Sequence, residues 1–178
     1  RIITPLIKFR ACRDIRKIAG DAMEIRGGSG YIEEWMDPKI LRDAHLGSIW
    51  EGTSNIISLD TIRALKKDDN LHVLKTFLIN LVHERSIKEN EKVLLSTIDE
   101  VFNFVFQEIK DDYEASSRQI TSLLYYLCSA VFLNAESYYC TSLYHRKKIS
   151  ELIIKYKINE NNPLQRNEID YKLVNEYL

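Results

Sequence analysis

The sequence of 178 residues predicts an all-α protein. Apolar residues recur at spacings of three and four along almost the whole chain, which places them on one face of an α-helix. No segment shows the apolar–polar alternation that is typical of a strand, and no glycine follows Gly52. Long helices joined by short connections are therefore the expected architecture.

The first predicted helix begins at Thr4-Pro5, because threonine can cap a helix and proline is tolerated in the first turn. One apolar stripe follows: Ile7, Ala11, Ile15, Ile18, Ala22 and Ile25. The opposite side carries five basic residues: Lys8, Arg10, Arg13, Arg16 and Lys17. We interpret these five as a solvated face, with a phosphate or partner site as the alternative. Gly27-Gly28 is predicted to end the helix, since glycine readily adopts the left-handed conformation.

Residues 27–57 hold five of the six glycines and both tryptophans. Glycine lets the backbone turn sharply or lets a ligand approach it closely, so a functional loop is expected in this stretch. Asp37-Pro38 predicts the start of a second helix, with an Asp cap and proline in the first turn, running to about Leu46. A loop should follow to Gly52, after which Thr53 or Ser54 can cap the next helix.

The rest of the chain is also predicted to be helical. The helix after the loop carries Ile56, Leu59, Ile62 and Leu65 and should end at the polar residues 66–69. Three further stripes follow: Leu71, Leu74, Leu78 and Leu81; Leu94, Ile98, Val101, Val105 and Ile109; Ile120, Leu124, Leu127 and Val131. The third helix is predicted to reach about Tyr156. Asn162-Pro163 should break it, and a last short helix is predicted over residues 165–178.

Bulk properties exclude some classes of function. The net charge is −1, so no global electrostatic attraction to nucleic acid or to an anionic membrane is expected. No run approaches the roughly 18 apolar residues of a membrane span. Cys12, Cys128 and Cys140 lack the spacing of metal ligands, so we predict free thiols in a reducing compartment and no metal site.

Three motifs in residues 27–53 carry a family resemblance. Gly27-Gly28-Ser29-Gly30-Tyr31 is followed by Arg42-Asp43-Ala44 and then by Trp50-Glu51-Gly52-Thr53. In this order and spacing the three motifs resemble the C-terminal part of the flavin-dependent acyl-CoA dehydrogenases. The resemblance implies a partial C-terminal helical bundle of that family over residues 1–66, followed by an additional helical extension over residues 71–178.

The resemblance implies that Glu51 is the catalytic base. In this family the corresponding glutamate removes the α-proton of an acyl-CoA thioester, and FAD accepts a hydride from the β-carbon. The backbone N–H of the same residue is one donor to the thioester oxygen. Trp50 and Gly52 are the implied substrate-binding neighbours, although a buried core role is the alternative for Trp50. Asn, Asp or Glu in a loop is otherwise commonly solvated, which is the competing interpretation of Glu51.

The resemblance also implies FAD contacts for Glu24, Gly27, Gly28, Thr53 and Asn55. The family glycine at position 28 places its backbone against the FAD pyrophosphate, typically that of a neighbouring subunit. Glu24 and Asn55 replace family glutamines. The carboxylate of Glu24 would repel a pyrophosphate unless Arg26, where the family has an apolar residue, offsets its charge.

Arg42 and Asp43 are expected to be structural, as a pair on the helix that braces the Glu51 loop. The residues around the motifs, such as Met23-Glu24 and Ser54-Asn55, resemble the alkylation-response (AidB-type) branch. This branch implies a second function, a non-catalytic DNA-protection or assembly module. The candidate DNA contacts are Arg146, Lys147, Lys148, Lys155 and Lys157. Acidic residues slightly outnumber basic ones in the extension, which favours packing or subunit contacts over DNA binding.

The implied parent protein is a cytoplasmic, or in eukaryotes mitochondrial-matrix, homo-oligomer that acts on acyl-CoA. Electron-transfer flavoprotein is the candidate electron acceptor. We expect the 178 residues alone to be inactive, because the chain begins with Arg1 inside a helical pattern and resembles only part of the family fold.

Overall fold

A computed structural model describes residues 1–86, 88–110, 113–137 and 144–159, without the side chains of residues 88–89, 137, 144–146 and 159. The helices are α1 (Ile3–Ile25), α2 (Gly28–Tyr31), α3 (Asp37–Leu46), α4 (Ser54–Lys66), α5 (Asn70–Arg85), α6 (Lys88–Lys110), α7 (Tyr113–Ser137) and α8 (Tyr144–Ile153), with a π-helical segment at Ile154–Asn159. These residues contain no strand, which confirms the all-α prediction. The predicted break at Asn162-Pro163 and the last helix lie outside the described residues.

The predicted helix starts are confirmed in position but not in their capping bonds. Pro5 lies in the first turn of α1 and Pro38 in that of α3. Thr4 does not cap α1, because the helix already begins at Ile3. Asp37 does not cap α3 either: it is the first helical residue, and its carboxylate lies 3.4 Å from the Nε of Arg26. The carboxylate of Asp37 therefore forms an ion pair with Arg26 instead of a capping hydrogen bond.

The chain forms two compact units. The first comprises Arg1–Leu71 and the described residues of Glu108–Tyr125, and the second comprises the described residues of His72–Gln107 and those after Tyr125. In the first unit α1 packs against α3 and α4. The side chains of Leu6, Phe9, Ile62 and Leu65 are at most 2% exposed. Each such aliphatic or aromatic side chain contributes roughly 1.5–3 kcal/mol when fully buried, so this cluster holds the unit together.

The second unit follows the predicted stripes closely. Its buried residues include Leu74, Leu78, Leu94, Ile98, Val101, Phe102, Val105, Leu127 and Val131. Polar ties add to this core: the Ser150 hydroxyl donates to the carbonyl of Ala130 (2.8 Å), and Lys75 pairs with Asp99 (2.8 Å). Cys128 is buried, which raises the pKa of its thiol to about 12. The apolar spacing of α5 to α7 was thus sufficient to predict this core.

The apolar stripe predicted for α1 is not the buried face of this helix. Ile7, Ile15, Ile18 and Ile25 are between 43% and 87% exposed. The buried residues of α1 are Leu6, Phe9 and Ala19, which lie on the side that meets α3 and α4. The spacing correctly predicted a helix, but it could not tell which side this chain covers.

No helix among the described residues is both long enough and apolar enough to span a membrane.

Gly30 and Gly20 provide a matched pair of stability predictions. A Cβ on buried Gly30 would lie 2.3 Å from the carbonyl oxygen of Met23, a backbone atom that cannot move aside cheaply. Gly30→Ala should therefore destabilise the chain by roughly 1–3 kcal/mol. Gly20 lies inside α1 with open space around it, so Gly20→Ala should stabilise by about 0.5–1 kcal/mol. Urea denaturation followed by circular dichroism measures both. Equal effects of the two substitutions on the free energy of unfolding would contradict the close approach of Gly30 to the carbonyl of Met23.

Candidate functional site

The Glu51 loop, residues 47–53, connects α3 to α4 and is fixed at its beginning. The N–H groups of Ile49 and Trp50 both donate to the carbonyl of Leu46, at 2.9 and 3.0 Å. The hydroxyl of Ser48 donates to the carbonyl of Cys12 in α1 at 2.9 Å. The loop is therefore attached both to the helix before it and to α1.

Glu51 lies at the tip of this loop in an unusual conformation. Its φ is 55°, in the left-handed region, and that of Gly52 is 109°. A left-handed conformation costs a residue with a Cβ about 1–2 kcal/mol. The Glu51 side chain is 87% exposed, and its N–H makes no backbone hydrogen bond within the described part of the chain. The carboxylate of Glu51 is therefore accessible to a ligand, and its N–H has no backbone acceptor among the described residues.

Gly52 is required beside Glu51. Its φ of 109° is rarely adopted by residues with a side chain. A Cβ there would also lie 3.3 Å from the side chains of Ile56 and Ile57 on α4. The glycine thus lets the loop approach α4 closely.

Lys8 holds the loop from α1. Its ammonium donates a hydrogen bond to the carbonyl of Trp50 and lies 3.7 Å from a carboxylate oxygen of Glu51. The ion pair contributes at most about 1 kcal/mol, because the glutamate is exposed. A hydrogen bond from a charged donor contributes about 1.5–3 kcal/mol, toward the lower value at such an open site. This is comparable to the cost of the left-handed conformation of Glu51.

Sequence reasoning did not identify Lys8, which it placed on the solvated face of the first helix. The contact joins residues 42 positions apart, and no spacing rule links such positions. The structure also contradicts one of the two interpretations of Trp50, that of a buried core residue. Its side chain is 65% exposed, so it is not a core residue of this chain. Ile49 is 62% exposed beside it, which leaves an apolar surface next to the carboxylate of Glu51.

The glycine turn, residues 26–30, follows α1 as predicted. Gly27 has a φ of 59°, and its N–H donates to the carbonyl of Glu24 at 2.9 Å. Gly27 and Gly28 are exposed, and a Cβ on either would meet nothing within 4 Å. The open backbone at these two glycines has room for a flat or phosphate-bearing group, in contrast to the packed Gly30.

Glu24 is exposed, and Arg26 has another partner. The Nε of Arg26 lies 3.4 Å from the carboxylate of Asp37 instead. The charge of Glu24 contributes to the raised pKa of Lys17, which is raised first by the hydrogen bond of Lys17 to Asp21. The guanidinium of Arg26 is thus engaged on α3, and its compensation of the Glu24 charge stays a prediction.

Thr53 and Asn55 lie at the start of α4. Thr53 occupies the N-cap position as predicted, but its hydroxyl makes no capping hydrogen bond. Both side chains are exposed. The start of a helix carries unpaired N–H groups and a partial positive charge, which favour anionic groups. This hydroxyl, this amide and the helix end form a polar surface that fits a phosphate-bearing cofactor.

Arg42 has a structural role, but not the expected one. Its guanidinium binds both carboxylate oxygens of Glu33, at 2.8 and 3.0 Å. This contact raises the pKa of Arg42 and lowers that of Glu33. Arg42 thus ties α3 to the turn that precedes it rather than to the Glu51 loop, which corrects the prediction that it braces the loop.

The basic face of α1 is not simply solvated. Four of its five residues are half-buried: Lys8, Arg10, Arg13 and Arg16. The Nε atoms of Arg13 and Arg16 are buried without a hydrogen-bond partner in the described residues. Burial lowers the pKa of Arg13, and the nearby charges of Arg118, Arg10 and Arg16 lower it further. Only Lys17 agrees with the solvated interpretation.

The basic residues of the extension are partly engaged with their neighbours. Lys148 lies 3.4 Å from the carboxylate of Glu151, and the ammonium of Lys155 lies 4.8 Å from the centre of the Tyr156 ring. The side chain of Arg146 lies outside the described residues. In the part of the chain that the structure describes, no cluster of three His, Cys, Asp or Glu residues could hold a metal ion.

A sequence profile described as "Acyl-CoA dehydrogenase, C-terminal domain" matches residues 1–66, which include all the predicted site residues. Residues 1–66 therefore belong to the C-terminal helical region of the acyl-CoA dehydrogenase family.

Individual relatives support this assignment. AidB of Escherichia coli strain K12 is 31% identical over 140 residues, which are 77% of this chain and 24% of AidB. Acyl-CoA dehydrogenase family member 11 of Caenorhabditis elegans is 39% identical over 71 residues, 40% of this chain and 12% of that protein. The similarity to AidB is too long to end at residue 66, so it continues into the predicted extension.

The fold is also that of a solved structure. Caenorhabditis elegans ACDH-11 in complex with C11-CoA matches 96% of this chain and 30% of its own with a TM-score of 0.75 and 22% identity. The present chain thus spans only about a quarter to a third of the length of AidB and ACDH-11.

Proposed function

We propose that this chain is the C-terminal part of an FAD-dependent acyl-CoA dehydrogenase, with Glu51 as the base that removes the α-proton of an acyl-CoA thioester. The observation that carries the proposal is the geometry of Glu51. Its carboxylate is exposed, its backbone is left-handed at a loop tip, and its N–H has no backbone acceptor among the described residues. The loop lies in the segment that matches the family profile.

The chemistry requires a base and an oxyanion donor close together. An α-proton is weakly acidic, so its removal needs stabilisation of the negative charge that develops on the thioester oxygen. The carboxylate of Glu51 can accept the proton, and the N–H of the same residue can donate to that oxygen. FAD, when bound, supplies the two-electron acceptor for the β-hydrogen. Exposed Trp50 would then cover the substrate and exclude water.

The residues that would hold FAD are Gly27, Gly28, Thr53 and Asn55. Their fit is supported by the open space at the two glycines and by the exposed polar groups at the start of α4. Glu24 fits less well, because the Nε of Arg26, the cation proposed to compensate it, lies 3.4 Å from the carboxylate of Asp37. We propose that Glu24 contacts a hydroxyl or ring donor of the cofactor rather than its phosphates.

The proposed substrate class is an acyl-CoA thioester, which is supported by the C11-CoA in the complex of the structurally similar ACDH-11. We also propose a homo-oligomer. The four exposed isoleucines of α1 form an apolar surface that other helices of the bundle or a second subunit would cover.

Glu51→Gln in the intact protein should abolish α-proton exchange and reduce turnover by about 10²–10⁴-fold, because the amide cannot accept the proton. FAD should stay bound, since Glu51 is not one of its proposed contacts. Anaerobic bleaching of the flavin spectrum with a panel of acyl-CoA thioesters and α-proton exchange in deuterated water are the measurements. Glu34→Gln, another exposed glutamate, is the control. Full turnover by Glu51→Gln would refute its role as the base.

Gly28→Ala should lower the FAD content of the intact protein while leaving its fold unchanged. The added methyl group meets no atom of this chain within 4 Å, so only a group bound against the backbone would be displaced. Flavin absorbance per protein and circular dichroism report the two effects, and Gly20→Ala is the matched glycine control. Normal FAD content in Gly28→Ala would remove this glycine from the proposed cofactor site.

The 178 residues by themselves should neither retain FAD nor turn over acyl-CoA, because they span a minor part of their relatives' length and leave the Glu51 tip exposed. The flavin absorbance of the purified chain tests this. One bound flavin per chain would contradict it.

A further inference from the structure

Lys8 lies near the start of α1, but its side chain ends at the Glu51 loop. The ammonium donates to the carbonyl oxygen of Trp50 and lies 3.7 Å from a carboxylate oxygen of Glu51. The Lys8 side chain is 23% exposed, whereas the Glu51 side chain is 87% exposed. The lysine is therefore the packed member of this group, and the glutamate is the open one.

The hydrogen bond from Lys8 to the Trp50 carbonyl bears on the direction of the Glu51 N–H. The carbonyl of Trp50 and the N–H of Glu51 belong to one peptide group, which is planar and trans, so the two bonds point in opposite directions. A donor that fixes the carbonyl also fixes the direction of the N–H. A charged donor on the carbonyl additionally polarises the peptide, which strengthens the hydrogen bond that its N–H can donate.

We propose that Lys8 is a positioning residue for the oxyanion donor of the reaction, since it orients and polarises the Trp50–Glu51 peptide group from the side opposite to the substrate. This inference rests on the proposed function, in which the Glu51 N–H binds the thioester oxygen. It assigns Lys8 no contact with the substrate.

The local backbone supports the need for such a residue. Trp50 donates its own N–H to Leu46, which holds the chain up to that point. Beyond it Glu51 and Gly52 both have positive φ, and neither donates a backbone hydrogen bond in the described ranges. The Lys8 contact is therefore the tie nearest to the proposed donor. Its alternative, a plain ion pair with Glu51, is weak at 3.7 Å and in solvent.

The test compares Lys8→Met, Lys8→Arg and the control Lys17→Met in the intact protein. Methionine keeps the apolar stem without the donor, and arginine restores a charged donor. Lys17 is an exposed lysine of the same helix that pairs with Asp21. Turnover, KM, α-proton exchange, flavin content and thermal unfolding are measured for each variant.

Lys8→Met should lower kcat and the α-proton exchange rate together by about 10–100-fold, the range expected when a reacting group is misplaced by about 1 Å. KM should change by less than about threefold, because an interaction made mainly in the transition state is lost. Lys8→Arg should recover part of kcat, and Lys17→Met should match the wild type. An unchanged kcat in Lys8→Met would overturn the proposal. So would a fall of kcat that is accompanied by a loss of bound flavin and a lower unfolding temperature.

A second readout separates this proposal from the proposed function. In the 178-residue chain with Trp35→Phe, Trp50 is the remaining tryptophan, and its emission reports the loop without any turnover. A shifted emission in Lys8→Met supports the tie between Lys8 and the loop. If none of the thioesters bleaches the flavin of the wild-type intact protein, the dehydrogenase function and the catalytic role of Lys8 are both refuted. The contact between Lys8 and the loop would still stand. An unchanged emission overturns the tie itself.

Discussion

The packing of α1 against α3 and α4 is the constraint on which the candidate site depends. This packing buries Leu6 and Phe9 in the first unit. It thereby brings Lys8 to the carbonyl of Trp50 and the carbonyl of Cys12 to the hydroxyl of Ser48. The Glu51 loop has no regular secondary structure of its own, so its shape is set by these contacts. A rigid helix supports a loop that would otherwise not hold a left-handed glutamate.

The same packing explains the unusual orientation of α1. The side that meets its neighbours carries aromatic and small residues together with long basic side chains, whose apolar stems can pack while their charged ends reach outward. The side that carries four isoleucines is exposed. The buried Nε atoms of Arg13 and Arg16 have no hydrogen-bond partner among the described residues, and burying such unpaired polar atoms is costly. Both features support the proposal that other helices of the bundle or a second subunit cover α1.

The glycines of the site divide into two kinds by what surrounds them. Gly30 and Gly52 are required by packing, because added atoms would approach the carbonyl of Met23 or the side chains of α4. Gly27 and Gly28 have open space around them, although Gly27 needs its left-handed φ. Packing within the described part of the chain does not explain a glycine with open space around it at a turn. This difference is the structural support for a ligand at the glycine turn.

The sequence by itself determined the all-α class, the main helix positions, the cores of α5 to α7 and the family, because helical periodicity and ordered motifs are local properties. It also selected Glu51 and its glycine neighbours. Only the tertiary structure decided that the isoleucines of α1 face outward, that Arg26 pairs with Asp37, that Arg42 binds Glu33 and that Lys8 reaches Trp50. These partners are distant in sequence or compete with near-equivalent alternatives. Such contacts depend on which faces pack together, and that choice is a property of the whole fold.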